Sequence, residues 1–363
     1  MIAQLVYVPF IFAFVISTAI TYLTILVYRG LGIVDRSTNK EHPKHIHTTP
    51  VPRGGGLPIF FSLFFTTMLF GTFDAHMAGI FVGAFILMTL GVLDDIMDLS
   101  PYIRLILGVV AAALVVFSGI GIAFVSNPFG GSVLHFSGPT VVTKILGEVR
   151  TFNVIGDLLT ILWITWAMNF VNMGAKGLDG QLPGVVVIAS IVMGVLSFRF
   201  VNDVTSWPSA QLSFALAGAY GGFLLFNLYP QRIMPGWGGG SLAGYFLAIL
   251  SILSGAKLAT ALIVLGVPLM DVIYAIIRRI RAGRSPVWGD AQHLHHQLLR
   301  LGWSKRAVAA FYWLVTAALG GAALQLNSRM KIYTILLLGV VVGGVLLWIN
   351  LFLSQKSRDQ RSG

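Results

Sequence analysis

The segment GVLDDIMDLSP, residues 91–101, places three aspartates at the end of an apolar run. On a continuous helix Asp98 is i+4 from Asp94 and i+3 from Asp95, so the three carboxylates are expected to share one face. Carboxylates this close repel one another unless a cation lies among them. A hard cation such as Mg²⁺, which prefers carboxylate oxygens and substrate phosphates, fits this pattern. A solvated helix end capped by aspartate is the alternative.

The segment NFVNMGAKGLDG, residues 169–180, follows another apolar run. Asn169 and Asn172 are i,i+3 and lie on one helical face. The glycines allow the backbone to approach a ligand closely, and Asp179 adds a carboxylate to the same space. A plain turn between two membrane spans would not need so many polar residues.

The segment GRSPVWGDAQHLHHQLLRLG, residues 283–302, brings His293, His295 and His296 together among arginines. Arginine binds phosphate oxygens in a bidentate manner, and histidine can donate or shuttle protons, so this loop could bind a diphosphate. A zinc site is the alternative, with Asp290 as the nearest carboxylate.

A fourth polar segment, KHIHTTPVPRGGG at residues 44–56, ends in a glycine run that opens a further apolar segment. It brings Lys44, His47 and Arg53 together, and these side chains could bind a phosphate or a lipid head group.

The composition places these motifs in a membrane protein. Of 363 residues, 56% are hydrophobic and only 10% are charged, which is too few charges to cover a soluble protein of this length. The chain has no cysteine, which excludes disulfides, thiolate nucleophiles and Cys-ligated zinc. Since a membrane span needs about 20 apolar residues, we predict an all-α polytopic protein of about eleven transmembrane helices. The predicted spans are 2–28, 55–73, 77–93, 103–125, 155–172, 183–200, 209–228, 240–254, 257–277, 306–326 and 331–354.

The distribution of basic residues predicts the topology. With the N-terminus outside, 18 of the 24 Lys and Arg residues fall on the inner side, and the positive-inside rule then places the C-terminus in the cytoplasm. The high pI thus reflects membrane topology, and no nucleic-acid partner is expected. We predict one transmembrane domain, 1–363, in the cell inner (plasma) membrane. A small periplasmic β-hairpin is expected within the outer loop 126–154. The predicted cytoplasmic active-site loops are 29–54, 94–102, 173–182, 229–240 and 278–305.

Taken in order, the motifs resemble the polyprenyl-phosphate N-acetylhexosamine-1-phosphate transferases of glycosyltransferase family 4. The family includes phospho-N-acetylmuramoyl-pentapeptide transferase. The resemblance covers about residues 35–305 and includes FNLYP at 226–230, which is similar to an Asn-x-x-Pro segment of the family. The HLHH form and the eleven predicted spans favour the GlcNAc-type branch.

The resemblance implies a reaction and roles for the residues. A polyprenyl phosphate, such as undecaprenyl phosphate, would attack a UDP-N-acetylhexosamine and release UMP, with Mg²⁺ or Mn²⁺ as cofactor, in the first membrane step of cell-envelope glycan synthesis. Asp94 and Asp95 would orient or deprotonate the lipid phosphate, and Asp95 and Asp179 would bind the metal. The partners would be these two substrates and membrane lipid, and a homodimer is left open. The implied substrate-binding residues are Lys44, His47, Asn172, Asp179, Asn227, His293, His295 and His296.

Two positions depart from the family pattern. Gly238 stands where the family has a metal-binding aspartate, and MGAKGLDG carries Ala175 and Lys176 where the family has the first aspartate of an Asp-Gly-x-Asp-Gly element. One hypothesis is that Lys176 replaces part of the role of the metal, with Asp98 as a second compensating residue; another is that Asp95 and Asp179 bind the metal alone.

Two other functions compete with an active transferase. The first is a protein of the same family that binds the sugar nucleotide or the lipid phosphate but turns over poorly. The second, from another class, is a transporter or flippase for lipid-linked sugars. A flippase would need ionisable residues near the middle of its spans, and Asp271 comes closest to such a position.

Overall fold

The chain is described by a computed structural model over residues 3–35, 50–125, 127, 133–136, 138–145, 148–198, 207–255, 257–285 and 292–362. These residues are mostly helical. A π-helical turn, Ala3–Tyr7, leads into the first α-helix. The α-helices are α1 Val8–Gly30, α2 Gly56–Phe70, α3 Ala75–Met97, α4 Pro101–Phe117, α5 Val154–Gly174, α6 Gln181–Ser197, α7 Trp207–Asn227, α8 Gly236–Leu253, α9 Leu258–Val264, α10 Gly266–Arg281, α11 Leu294–Arg300, α12 Lys305–Gln325 and α13 Ser328–Ser362.

Three short antiparallel strand pairs connect parts of the helical bundle. The strands are β1 Val34–Asp35, β2 Val51–Pro52, β3 Phe124–Val125, β4 Leu134–His135, β5 Thr140–Ile145 and β6 Glu148–Asn153. β1 pairs with β2, β3 with β4, and β5 with β6. The β5–β6 pair, with Thr140 opposite Asn153, is a hairpin inside the loop where the sequence predicts one. The side of the membrane on which it lies stays a prediction.

Every predicted span contains a helix, but the helices differ in length. Seven helices among the described residues are long and apolar enough to cross a membrane, or eight if the bent pair α9–α10 forms one span. Three further apolar helices, α2, α4 and α6, have 15 to 17 residues. The protein is therefore a multi-pass membrane protein, and the count of eleven crossings stays a prediction.

The predicted span 257–277 is not one straight helix. α9 and α10 meet at an angle of 82° around Leu265. Pro268 lies three residues after the break, and it has no N–H to donate to the Val264 carbonyl, with which its ring would also clash in a continuous helix. The apolar run alone did not reveal this bend, which turns α10 towards the polar loops.

α8 is the most buried of the candidate spans, with 94% of its apolar window inside the protein. Glycines permit this central position where α8 crosses α2 and α3. A Cβ added at Gly91 would lie 2.5 Å from the Cα of Gly238, and one added at Gly56 would lie 3.3 Å from the same atom. The glycine content that makes α8 weakly apolar in sequence is what lets three helix backbones meet there.

Several helices begin at the same end of the bundle, which we call the site end. It is defined by the start of α2 at Gly56, α4 at Pro101, α6 at Gln181, α8 at Gly236 and α12 at Lys305. Helix N-termini carry exposed N–H groups and a partial positive charge. The ends of α3, α5, α7 and α10, which carry the polar motifs, adjoin these starts in sequence or by contact.

Candidate functional site

α3 ends in a way that separates its three aspartates. Asp98 has left-handed backbone angles (φ 50°) and ends the helix, while Ser100 accepts a hydrogen bond from the Ile103 N–H and Pro101 opens α4. Asp98 is therefore exposed and does not extend the helical face of Asp94 and Asp95. The expectation that all three share one face is wrong for Asp98, because the Ser-Pro start of α4 ends α3 first.

Asp94 is buried and held by two donors. Its Oδ1 accepts the Leu99 N–H at 3.1 Å and its Oδ2 accepts Nη1 of Arg104 at 3.2 Å. Only 5% of Asp94 is exposed. With both carboxylate oxygens engaged inside the protein, Asp94 fixes the turn between α3 and α4.

Asp95 points to a different neighbour, the first turn of α8. A Cβ added at Gly236, which has φ +63°, would lie 2.8 Å from Oδ1 of Asp95. Among the described residues this buried oxygen accepts no hydrogen bond. Asp95 is thus the carboxylate of the pair that remains available for a ligand.

Lys176 reaches the same glycine from the loop between α5 and α6. Its Nζ donates to the Gly236 carbonyl oxygen at 3.2 Å. Burial, and then the nearby charges of Arg53 and Arg104, lower the pKa of Lys176 to about 8, although Asp94 and Asp95 act in the opposite direction. The Lys176 side chain thus lies beside Asp95 inside the site.

Arg53 approaches this cluster from the segment before α2. Its Nη2 donates to Oδ2 of Asp35 at 2.8 Å. Two backbone hydrogen bonds, from the Met234 N–H to the Pro52 carbonyl and from the Gly55 N–H to the Met234 carbonyl, join this segment to the loop before α8. The pairing of β1 with β2 and these bonds set Arg53 beside Asp95, Lys176 and the start of α8.

Asp179 and Asn227 join the α5–α6 loop to the α7–α8 loop. Asn227 accepts the Gly180 N–H at 2.9 Å and donates to the Ile233 carbonyl at 2.7 Å. Oδ2 of Asp179 accepts the Gln231 N–H at 3.2 Å, and Nζ of Lys305 lies 3.9 Å from its Oδ1. Both residues are buried, and their hydrogen bonds hold the two loops together.

Asn172 contacts α8 one turn further along. Its Nδ2 donates to the hydroxyl of Ser241 at 3.4 Å, and its amide oxygen packs against Gly240. Asn169 instead donates to the Thr165 carbonyl of its own helix. Of the two asparagines, Asn172 is the one that faces the interior of the site.

The histidine helix α11 packs against the α5–α6 loop. Nδ1 of His293 lies 2.9 Å from Oδ2 of Asp271, whose other oxygen accepts the Leu294 N–H at 2.8 Å. The rings of His293 and His295 stack with centroids 5.7 Å apart, and His295 fills the space above Gly177. His296 is partly exposed, with its ring 4.2 Å from that of His295.

Burial keeps His295 neutral. It lowers the pKa of His295 well below its usual range, and His296 and His293 lower it further. Asp271 is fully buried and accepts the N–H of Leu294 at the start of α11.

The described residues do not supply a carboxylate-rich metal site. No group of three or more His, Asp or Glu side chains among them could hold a metal ion. Asp179 faces Lys305, Asp95 lies beside Lys176 and Arg53, and no side chain emerges at Gly238. These residues do not fit the protein-bound Mg²⁺ or Mn²⁺ that the family resemblance implies, because cations of the protein occupy its surroundings.

Some predicted residues lie outside the described part of the chain. These are Lys44 and His47 of the first loop and Asp290 of the histidine loop. The structure adds side chains that the motifs did not indicate. Arg104 binds Asp94, and Lys305 faces Asp179 from the start of α12. Their sequence signal, one basic residue just inside a helix N-terminus, is too common to single them out.

The assembled site places a carboxylate, basic side chains, buried amides and imidazoles at one end of the bundle. Such a set can bind an anionic substrate, balance its charge and orient a second anion against it. The N-termini of the site-end helices add a positive potential to that of the basic side chains.

Comparisons with known proteins agree with this chemistry. Residues 77–255 match glycosyl transferase family 4. The chain is 30% identical over 330 residues to a probable undecaprenyl-phosphate N-acetylglucosaminyl 1-phosphate transferase of Bacillus subtilis, covering 86% of this chain and 85% of the relative. It is 30% identical to the decaprenyl-phosphate N-acetylglucosaminephosphotransferase of Mycobacterium tuberculosis, with 83% and 79% covered. A third relative, the undecaprenyl-phosphate alpha-N-acetylglucosaminyl 1-phosphate transferase of Yersinia pestis, is 28% identical, with 85% and 81% covered.

The family match at residues 77–255 includes Asp95, Lys176 and Gly236. The relatives are named as transferases of polyprenyl phosphates, which agrees with the multi-pass membrane fold. The chain therefore belongs to glycosyl transferase family 4, as a membrane enzyme of the polyprenyl-phosphate N-acetylglucosamine-1-phosphate transferase type.

Proposed function

We propose that the chain transfers N-acetylhexosamine-1-phosphate, with GlcNAc-1-phosphate as first choice, from a UDP-sugar to a polyprenyl phosphate and releases UMP. The reaction takes place at the site end, on the cytoplasmic side of the plasma membrane, and the whole chain 1–363 acts as one membrane domain. The names of the relatives indicate a polyprenyl phosphate as acceptor and a sugar phosphate as the transferred group. We infer the sugar nucleotide donor from the residues of the site.

The bond changes are those of a phosphoryl transfer. An oxygen of the polyprenyl phosphate forms a bond to the β-phosphorus of the UDP-sugar, and the bond from that phosphorus to the bridging oxygen breaks. The bridging oxygen and its electron pair leave with UMP. Because both reactants are anions, the protein must align them and balance their charge.

Asp95 is the residue that we assign to the lipid phosphate. The buried Oδ1 of Asp95, which lies next to the start of α8, accepts no hydrogen bond from the described residues. Both oxygens of Asp94, in contrast, accept one. Asp95 orients the lipid phosphate, or takes its proton when the phosphate arrives protonated. Asp94 acts through Asp95, by fixing the turn that carries it.

The nucleotide and the diphosphate occupy the remaining surfaces of the site. We assign the diphosphate to His293 and His295 on α11 together with Lys176. Asp271 engages Nδ1 of His293, so Nε2 is the ring nitrogen that would face the substrate. The loops joined by Asn227 and Asp179 form the side of the site that we assign to uridine.

The observation that carries the proposal is the junction at Gly236 and Gly177. Asp95 and Lys176 both meet Gly236, and one residue from Lys176 the ring of His295 packs on Gly177. A carboxylate from α3, a cation from the α5–α6 loop and an imidazole from α11 are thereby brought into one place, as a two-anion transfer requires.

The test is UMP release by the purified full chain in detergent. Undecaprenyl phosphate is supplied with a panel of UDP-sugars that includes UDP-GlcNAc and UDP-GalNAc. We expect release that requires the lipid and is fastest with UDP-GlcNAc, and that Asp95→Asn abolishes. UMP binding without turnover on any sugar would contradict the proposal and indicate a binding protein. Equal release without the lipid would indicate a hydrolase instead.

A further inference from the structure

The site contains a cation of its own where the two reacting anions would meet. Lys176 enters between the end of α3 and the first turn of α8, where its Nζ donates to the Gly236 carbonyl oxygen at 3.2 Å. Gly236 also lies next to the buried Oδ1 of Asp95, which would be 2.8 Å from a Cβ added at this glycine. The ammonium and the carboxylate therefore share one neighbour.

The other charges in this cluster already have partners. Arg104 donates to Asp94, and Arg53 donates to Asp35. Among the described residues, Asp95 and Lys176 are the carboxylate and the basic side chain of this cluster that are left without a salt bridge. An ammonium is a compact point charge with three donors, which suits contact with more than one phosphate oxygen.

The backbone around Gly238 also disfavours a further carboxylate. A Cβ added at Gly238 would lie 3.1 Å from the Cα of Gly91 and 3.5 Å from the Cα of Gly56. Backbone atoms of two other helices fill the space where a side chain would begin. A carboxylate at this position would require α3 to move by a few tenths of an ångström.

We propose that the Lys176 ammonium is the resident cation of this site, and that it takes the place of a divalent cation held by protein carboxylates. This inference rests on the proposed function for its role in turnover. The prediction about binding is independent of the proposed function: phosphate ligands should bind the chain equally well with and without a divalent cation. The residues that depart from the family pattern would then replace the metal cation by a lysine, without a loss of activity.

The binding experiment uses the full chain in detergent with UMP as the probe. Calorimetry with Mg²⁺ and with EDTA should give the same Kd within about twofold. Lys176→Gln should weaken UMP binding at least about tenfold, and Lys176→Arg, which keeps the positive charge, should weaken it less. Lys257→Gln is the matched control, since Lys257 precedes α9 at the opposite end of α8, about 27 Å away by helix rise.

A metal-binding measurement tests the same inference without UMP. Electron paramagnetic resonance of Mn²⁺ should show no tight site in the wild-type chain, and Lys176→Asp should create one. Thermal unfolding of each variant in the same detergent excludes misfolding as the cause. Tight Mn²⁺ binding by the wild-type chain that Asp95→Asn removes would overturn the inference, as would loss of UMP binding in EDTA.

Measuring UMP release distinguishes the transferase proposal from the resident-cation proposal. UMP release that persists in EDTA and is lost in Lys176→Gln supports both. Release that stops in EDTA keeps the transferase but overturns the resident cation. Metal-independent UMP binding without release from any sugar nucleotide supports the resident cation and contradicts the transferase.

Discussion

At the scale of single residues, the α3–α4 turn assigns different tasks to three aspartates that look alike in sequence. Both oxygens of Asp94 accept hydrogen bonds, from Leu99 and Arg104. The buried Oδ1 of Asp95 accepts none among the described residues, and Asp98 is an exposed helix cap. The sequence identified the cluster but not this division. The division depends on where α3 ends, and a backbone angle at Asp98 decides that.

The three aspartates give a matched series of Asp→Asn variants. We expect Asp95→Asn to lower kcat for UMP release by about 10²–10⁴-fold with an unchanged Tm, because it removes the carboxylate that we assign to the lipid phosphate. Asp94→Asn should lower both kcat and Tm, since it weakens a buried contact with Arg104, at a cost of about 1–3 kcal/mol. Asp98→Asn should change kcat less than twofold. Equal losses in all three would contradict the assignment.

His295 should make stability depend on pH. Its pKa in the folded protein is lowered by burial and by the neighbouring histidines, so the unfolded chain binds a proton more readily. Stability should therefore be full above pH 6.5 and fall as the pH drops below the pKa of the unfolded side chain. Unfolding in detergent between pH 7.5 and 5 would measure this.

The control for that experiment is another histidine. His295→Gln should flatten the decrease in Tm on acidification, whereas His135→Gln, at an exposed position on β4, should leave it unchanged. A wild-type Tm that rises as the pH falls from 7 to 5.5 would be inconsistent with a buried, neutral His295.

At the scale of elements, hydrophobicity predicted which segments are helical but not how the helices are arranged. The residues of α8 are apolar only in part, yet α8 is the most buried candidate span. The α9–α10 bend follows from Pro268, which was visible in the sequence, but its direction is set by packing. Local signals predict helices and turns, while crossings at glycines depend on contacts far apart in the chain.

The crossing of α3 and α8 should be intolerant of a single methyl group. Gly91→Ala would place a Cβ 2.5 Å from the Cα of Gly238, so the two helices must separate. We expect a loss of about 1–3 kcal/mol in stability, measured as a lower Tm in detergent. Gly344→Ala on α13, where an added Cβ has nothing within 4 Å, is the control and should not lower Tm.

At the scale of the whole molecule, the topology rests on the distribution of basic residues and can be tested directly. The chain has no cysteine, so one introduced thiol is a unique label. Ala282→Cys after α10 should react with an impermeant maleimide only in inverted membrane vesicles, and Ser328→Cys after α12 only in intact cells. The reverse pattern would place the site end outside the cell.

The candidate site was predictable in its motifs and less so in its contacts. Asp94, Asp95, Asp179 and the histidines stood out because polar residues are costly near membrane spans. The junction of Asp95, Lys176 and His295 could not be derived, because it joins three segments through Gly236 and Gly177. The spacing of residues along the sequence does not predict such contacts between distant segments.

The short helices α2, α4 and α6 have a consequence for the surrounding lipid. With 15 to 17 residues they reach about 22–25 Å, less than the roughly 30 Å of a typical hydrocarbon core, and all three begin at the site end. Where these helices cross the membrane, we expect the bilayer to thin beside them and to bring the head-group layer, with a lipid phosphate, closer to Asp95. Acyl-chain length thereby becomes a control on the enzyme: vesicles of shorter-chain lipids should speed the reaction, and longer chains should slow it by holding the phosphate above the reach of the site.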